Sequence, residues 1–325
     1  MTSYTMNWIL LMLLSAIWGG AFTLNKFALE AYSPEILVTG RLLIATIVLL
    51  IFVLIVFKKI NIDLLNWRYY FFMSIVGIVA PFLLISYGQI GIDSSLAGIL
   101  MSTMPISTLI LSHFFLNDEN MTKKKLIGFL IAFTGIIILI MPDKNIIEDN
   151  IIDGVYSELM VISGAILYSF AAVYGKRFKI TNPLNASTGV ILYSAVIMSI
   201  YIMLNIDLVP HSYGDYKHIA TIAILGVFCT AIATIIYFQI LQSSGATFIS
   251  IMNYLIPVWA ILFGVIFFNE DVSNFNNVKI NKYMKIIDST TYFEEDLMMN
   301  LRFNVLDKYV DEFIVCEAAF SHSGK

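Results

Sequence analysis

Long apolar runs dominate the chain, and nothing constrains its fold more. Nine of them, at about 8–29, 36–57, 69–90, 96–116, 126–141, 156–174, 188–204, 219–241 and 248–268, approach or reach the roughly 17–25 residues that a helix needs to cross a bilayer. Hydrocarbon offers the backbone no hydrogen-bond partner, so each run must satisfy its own peptide groups and fold as a helix. The 13% of charged residues is about half of what a soluble domain carries, too little polar material to cover a water-exposed surface of this length. The expected fold class is an all-α polytopic membrane protein with nine transmembrane helices. The fifth run is the shortest and borrows a residue or two from its flanks. The first lacks a basic leader and a small-residue cleavage signal, so it reads as a retained helix, not a signal peptide.

The basic residues between the runs set the orientation. Lys58, Lys59 and Arg68, then Lys123, Lys124 and Lys125, then Lys176, Arg177 and Lys179 fall in alternate loops on one side. The opposite loops hold Lys144 and Lys217, beside the acidic Asp143, Glu148, Asp149 and Asp153. The expectation is a multi-pass protein of the cytoplasmic membrane with a cytoplasmic N-terminus and a C-terminal tail on the non-cytoplasmic side. A net charge of −4 offers no clustered basic face, so nucleic acid is not an expected partner. Cys229 and Cys316 are too few and too distant for a disulfide framework or a metal site.

The chain also repeats itself. Residues around helix three read VGIVAPFLLISYGQIGIDSS and those around helix eight read LGVFCTAIATIIYFQILQSS, aligning Gly77 with Gly226, Tyr87 with Tyr237 and Gln89 with Gln239 within a one-residue offset. Downstream, Pro105 precedes Phe114-Phe115-Leu116-Asn117-Asp118 as Pro257 precedes Phe267-Phe268-Asn269-Glu270. Copies of a five-helix unit must enter the membrane from opposite sides, which makes an inverted-topology repeat of the kind found in secondary transporters.

At these residues the chain resembles the EamA branch of the drug/metabolite transporter superfamily. The resemblance rests on Trp18-Gly19-Gly20-Ala21-Phe22 in the first helix, Pro34 and Arg41 in the second, and Pro105 in the fourth. It extends through Met121-Thr122, Leu126-Ile127-Gly128 and Gly135 in the fifth, and Pro257 and Glu270 in the second half. It covers about residues 7–272 and implies ten helices in two inverted halves around a central cavity, with export or exchange of small metabolites. The expected domains are a first repeat at 7–142 and a truncated second repeat at 156–272. Helix five begins eight residues after Asp118, but eight residues after Glu270 the chain reads Val278-Lys279-Ile280-Asn281-Lys282-Tyr283, which cannot span, so the tenth helix is expected to be missing.

The remaining tail, 278–325, is α/β-like. From Lys285-Ile286-Ile287-Asp288 through Leu301-Arg302-Phe303-Asn304-Val305-Leu306-Asp307 to Val310-Asp311-Glu312-Phe313-Ile314-Val315-Cys316-Glu317 and His322-Ser323-Gly324 it resembles the opening of glycosyltransferase family seventeen. That family transfers N-acetylglucosamine, and its opening is a strand, a helix and a strand. Strands are expected at 284–288 and 312–317 and a helix at 296–306. Such a fragment cannot bury a core of its own and has no Asp-x-Asp site, so it is read as a fused or mis-joined frame without enzymatic activity.

Transport needs a wet cavity whose groups bind solute differently in two states, and polar residues inside the membrane are the candidates for lining it. Arg41, about five residues into helix two, must meet a partner, an anionic solute or the interface. Asn253 and Tyr254 lie just before Pro257, and Ser102 just before Pro105. A proline lacks an N–H and frees a carbonyl, which favours a helix break. Trp18, Tyr87, Gln89, Tyr168, Tyr237 and Gln239 are candidates for aromatic walls and hydrogen-bonding groups, with helix packing as the competing role of each. His113 sits near the cytoplasmic end of helix four without an evident acid, which argues against a proton relay. Gly128, Ala132 and Gly135 make a smooth stripe for helix contact.

No P-loop, catalytic set, metal site or cofactor is expected. The leading expectation is a permease exporting or exchanging a small polar metabolite, such as an amino acid, by alternating access. Its partners are that small-molecule substrate and the lipid bilayer, with a homodimer left open. A membrane-anchored, truncated N-acetylglucosaminyltransferase-like protein and a non-transporting membrane scaffold are the alternatives.

Overall fold

A computed structural model describes residues 3–58, 66–116, 127, 151–178, 182–205, 207, 215–268, 287–292 and 312–317. The helices are α1 (Ser3–Leu29), α2 (Pro34–Phe57), α3 (Trp67–Gly91), α4 (Ser94–Leu100), α5 (Thr103–Phe115), α6 (Ile151–Arg177) and α7 (Pro183–Leu204). They are followed by α8 (Tyr216–Ser244), α9 (Ala246–Ser250) and α10 (Met252–Phe268). Seven helical stretches are long and apolar enough to cross a membrane: α1, α2, α3, the α4–α5 pair, α6, α7 and α8. The ninth expected span falls on α9 and α10, which are not among those seven. The fifth, with Gly128, Ala132 and Gly135, lies outside the described residues, and so does the position of a tenth.

Local chemistry sets the boundaries. Pro34 and Pro183 occupy the first helical positions of α2 and α7, where a missing N–H costs nothing and the fixed φ suits a helix. The side chains of Asn182 and Asp215 accept from the first free amides of α7 and α8, the usual N-cap arrangement. Gly245, at φ 94°, ends α8 in a conformation that side chains resist and turns the chain into α9.

Two helices leave α-geometry midway. A π segment occupies Ile75–Val79 of α3 and another Leu225–Ile232 of α8. In α3 the following residue pair contains Pro81, which offers no N–H and crowds the carbonyl four residues earlier. In α8 no proline is present. There the Thr230 hydroxyl donates to the Leu225 carbonyl, five residues back, at 2.8 Å, the i to i+5 spacing of a π turn. Gly226 lets α8 approach α2 closely at this point, since a Cβ there would lie 2.9 Å from the Arg41 carbonyl oxygen.

The pattern of burial suits lipid. Leu204, Phe114, Ile55 and Ile266 are largely exposed, while Ser15, Ser86, Gln89, Thr230 and Asn253 are buried. Small and polar groups facing inward are what hold helices together when lipid is as apolar as leucine. α1 packs on α10 and α6 packs on α4–α5; α3 packs on α6 and α8 packs on α1; α2 lies against α7. Asn7, near the start of α1, bonds Ser244 and Ser243 at the end of α8 (2.7 and 3.2 Å). Gln242 in turn bonds the Gly175 and Phe178 carbonyls at the end of α6 (each 3.4 Å). At the opposite end, His218 of α8 lies between Asp215 (2.8 Å) and Glu30 (3.9 Å), next to the end of α1.

In the tail, β1 (Ile287–Tyr292) pairs in parallel with β2 (Glu312–Glu317), Ile287 opposite Glu312 and Tyr292 opposite Glu317. The second strand has the expected bounds. The first overlaps the expected 284–288 at Ile287 and Asp288 and extends to Tyr292; residues 284–286 and the expected helix between the strands lie outside the described residues.

Candidate binding cavity

A cavity with an empty volume of about 530 Å³, space at its mouth included, lies between α1, α2, α3, the α4–α5 break, α6 and α10. Trp18, Arg41, Gln89, Tyr168 and Asn253 all line it. A second space of about 430 Å³ shares Trp18, Phe82 and Tyr168 and reaches Tyr237 and Cys229, so those shared rings form a partition. The Trp18 indole donates to the Cys229 carbonyl at 3.1 Å. Its ring stacks on Tyr168 at 6.4 Å and lies 5.8 Å from Tyr237.

One wall is polar. The Asn25 amide donates to Gln89 Oε1 (2.9 Å) and Ser86 Oγ (3.2 Å), and Gln89 Nε2 donates to the Phe22 carbonyl (2.9 Å). Lys26, next along α1, donates to the Gln89 and Ile92 carbonyls (2.8 and 2.9 Å), capping the end of α3 with a cation where the helix dipole is negative. The pair Asn25–Lys26 thereby fastens α1 to α3 beside the cavity.

Arg41 is 5% exposed. Its Nε donates to Thr230 Oγ1 at 3.1 Å and its guanidinium carbon lies 4.0 Å over the Phe82 ring, a cation–π contact. Among the described residues no carboxylate pairs with it, and it is the one charged side chain on the cavity wall. Asn253, fully buried, donates to the Ser250 carbonyl and to Met104 Sδ, each at 3.1 Å, while its Oδ1 has no partner.

Four candidates fall elsewhere. Tyr87 and Gln239 are exposed and line neither space. Residues two apart on a helix point about 200° apart, so a Tyr-x-Gln pair cannot put both side chains into one cavity. α3 turns Gln89 inward and Tyr87 outward, where its hydroxyl bonds the Glu35 carboxylate; α8 turns Tyr237 inward and Gln239 outward. The Ser102 hydroxyl is spent on the Ile99 carbonyl (2.6 Å) at the α4–α5 break, and Tyr254 is half-buried outside both spaces. Pro105 lies in the first turn of α5 and Pro257 inside α10. His113 sits in the last turn of α5, and no cluster of His, Cys, Asp or Glu is placed to hold a metal among the described residues.

Asn25, Ser86, Thr230 and Glu35 are absent from the expected set. Asn25 was findable: Trp18, Phe22 and Asn25 recur at i, i+4 and i+7 and so share a helix face. Thr230 was not, because its role depends on the π register of α8.

The model of the EamA-like transporter family matches residues 6–141 and again 155–278. An "Uncharacterized transporter" of Archaeoglobus fulgidus is 26% identical over 271 residues, covering 82% of this chain and 92% of its own. YoaV of Bacillus subtilis, an "Uncharacterized transporter", is 24% identical over 79% of this chain and 87% of its own. YedA of Escherichia coli K12, an "Uncharacterized inner membrane transporter", is 25% identical over 76% of this chain and 78% of its own. A solved crystal structure superposes with a TM-score of 0.61 over 81% of this chain and 88% of that one at 16% identity, a likeness of fold alone. The family match ends at residue 278, and the tail's likeness to glycosyltransferase family seventeen gains no support from it.

Proposed function

Because this multi-pass membrane protein belongs to the EamA-like transporter family, we propose that it is a secondary transporter that exports or exchanges a small polar metabolite, such as an amino acid, by alternating access. The observation that carries the reading is the cavity itself. It lies where α1, α2 and α3 meet α6 and α10, and its wall mixes apolar rings with Asn25, Arg41, Gln89 and Asn253. A scaffold needs no such space, and buried polar groups are expensive to keep in a membrane without a use.

Alternating access in this reading is a rocking of two inverted five-helix copies about the cavity. Three features support inversion. The family model matches twice. Exchanging α1 with α6, α2 with α7, α3 with α8 and α4–α5 with α9–α10 maps the packing onto itself. The end of α6 and the start of α1 both lie beside the end of α8, so the first helices of the two copies run in opposite directions. Lys176 and Arg177 close α6 on that same face, which favours its being cytoplasmic and supports a cytoplasmic N-terminus. A tenth helix missing from the second copy, and a tail on the outer side, remain part of the proposal.

The test is counterflow. Proteoliposomes holding the full chain are loaded with unlabelled amino acid or sugar and given the radiolabelled form outside. Saturable, substrate-dependent accumulation is expected for at least one solute, reduced in Arg41→Ala and Asn253→Ala at equal protein per vesicle. Vesicles that accumulate nothing across the panel would overturn the reading.

A further inference from the structure

We propose that Arg41 is the charge-selecting residue of the cavity and that the solute it receives is an organic monoanion carrying a carboxylate. The proposal rests on the transporter reading and gives it a substrate class.

The physical case starts from an incomplete site. A guanidinium has five N–H donors in a planar fork, and Arg41 spends one of them, Nε, on Thr230 Oγ1. Its terminal nitrogens make no hydrogen bond to any described residue, although the residue is 5% exposed and lines the cavity. A buried cation without a counter-charge is among the most costly arrangements in a folded protein. Snorkelling to an interface, the usual relief for arginine in a membrane, is excluded here because Thr230 holds Nε and Phe82 covers the guanidinium plane. The two contacts aim the fork. With one face against an aromatic ring and Nε tied, the terminal edge is left to meet a planar two-oxygen group, the geometry in which arginine binds carboxylate through two parallel bonds.

Charge counting decides between oxyanions. Among the described residues Arg41 is the one charged side chain on the wall, so a monocarboxylate leaves the occupied cavity neutral. A phosphate monoester would carry close to two negative charges at neutral pH, and the excess would stay unpaired in a medium of low dielectric. A cationic solute would meet only repulsion. The remaining wall fits the body of such a monoanion: Trp18, Phe82, Met101, Met104 and Ile256 give apolar contact, and the unpartnered Asn253 Oδ1 accepts an N–H where the solute has one. Asn253 Nδ2 already donates to the Ser250 carbonyl, so the oxygen is the atom left over.

The experiment compares matched probes on the whole purified chain in detergent. A set of simple monocarboxylates without an amino group, the neutral carboxamide of each, and a set of phosphate monoesters are titrated against wild type, and the thermal midpoint is followed. At least one carboxylate is expected to raise the midpoint in a saturable way, with its own carboxamide weaker by roughly tenfold to a hundredfold, the loss of a charge-assisted pair. Arg41→Gln should erase the difference between acid and amide. Arg41→Lys should keep the preference for the acid but bind it more weakly, because ammonium cannot make the forked contact. Equal binding of acid and amide by wild type overturns the proposal without any variant having to fold. So does stabilisation by phosphate esters alone, or by no carboxylate at all. Counterflow in proteoliposomes separates the two readings: flux of carboxamides or sugars with no acid preference leaves a transporter and sinks the carboxylate, whereas acid-selective binding without flux does the reverse.

Discussion

α3 and α8 occupy matching places in the two halves and reach the same irregular shape by different chemistry. Each is a long span with a π segment in its middle, Ile75–Val79 in one and Leu225–Ile232 in the other. In α3 the cause is Pro81, a backbone constraint that needs no partner. In α8 it is Thr230, whose hydroxyl takes the Leu225 carbonyl and at the same time accepts from Arg41. The α3 bulge is thus local, while the α8 bulge is joined to the one charge in the cavity wall. Two stretches that match one family model can keep a shape and still divide the work, with the first supplying Asn25, Arg41 and Gln89 and the second supplying Thr230, Tyr168 and Tyr237.

The sharpest way to break the comparison is to remove each cause in turn. Thr230→Val keeps the side chain's shape but leaves the Arg41 Nε without its partner and removes the hydroxyl bond to the Leu225 carbonyl. Bonds to buried charges are worth about 1.5–3 kcal/mol, so a loss of about 3 kcal/mol is expected, read as a lower thermal midpoint in detergent. Pro81→Ala restores a donor and should change stability by less than about 1 kcal/mol. Equal losses would mean that the two π segments are held in the same way. The next effect is steric. An alanine Cβ at Gly226 would sit 2.9 Å from the Arg41 carbonyl and 2.8 Å from Ile44, whereas one at Gly77 would meet the Ala171 Cβ at 3.0 Å. Overpacking costs about 1–3 kcal/mol, and Gly226→Ala should cost about 2 kcal/mol, more than Gly77→Ala, because a backbone oxygen cannot turn aside.

The same pair of helices marks how far the sequence reads. The apolar runs of α1 to α8 reported themselves, since a span has little freedom in length or composition. The aligned Gly77 and Gly226 both fall inside π segments that the letters did not announce, and both positions admit a close neighbour. The aligned Tyr-x-Gln motif misled, for a reason specific to helices: it matches letters while successive residues rotate by about 100°. A π segment adds its own rotation, so Gln89 and Tyr237, not true equivalents, are the inward pair. Arg41 was legible because charge inside a span stands out. Asn25 was hidden only by being an uncharged residue among many, and Thr230 because its partner is distant in sequence.

Polar decoration gives a smaller contrast. Asn25→Ala would strip Gln89 Oε1 and Ser86 of their shared partner inside the bundle, and about 1–2 kcal/mol of destabilisation is expected from unsatisfied buried groups. Gln239→Ala, on the exposed side of α8, should fall within about 0.5 kcal/mol of wild type, as surface changes do. A larger effect at Gln239 than at Asn25 would reverse the inward assignment of α3 and α8.

The smallest expected effect lies where the two helices begin. Asn66 makes no side-chain capping bond at the start of α3, whereas Asp215 accepts from the Lys217 and His218 amides at the start of α8. Asp215 is exposed. The His218 backbone N–H, then the His218 side chain and the Lys217 amide, hold its carboxyl below the ordinary value of 3.8. A carboxyl whose folded pKa is depressed stabilises above its unfolded pKa and loses that contribution as pH falls through the folded one. Asp215→Ala should therefore lower the thermal midpoint modestly at pH 7, and the gap to wild type should narrow below about pH 4 to what the neutral capping oxygen supplies. Asp215→Asn keeps an oxygen that can cap but nothing that titrates. Its deficit at pH 7 should be smaller than that of Asp215→Ala by a margin that stays constant with pH, and it should shrink in parallel as the wild-type carboxyl is protonated. If Asp215→Asn instead tracked Asp215→Ala at every pH, the charge and its pairing with His218 would matter and the cap would not, and the difference between the two helix starts would be electrostatic.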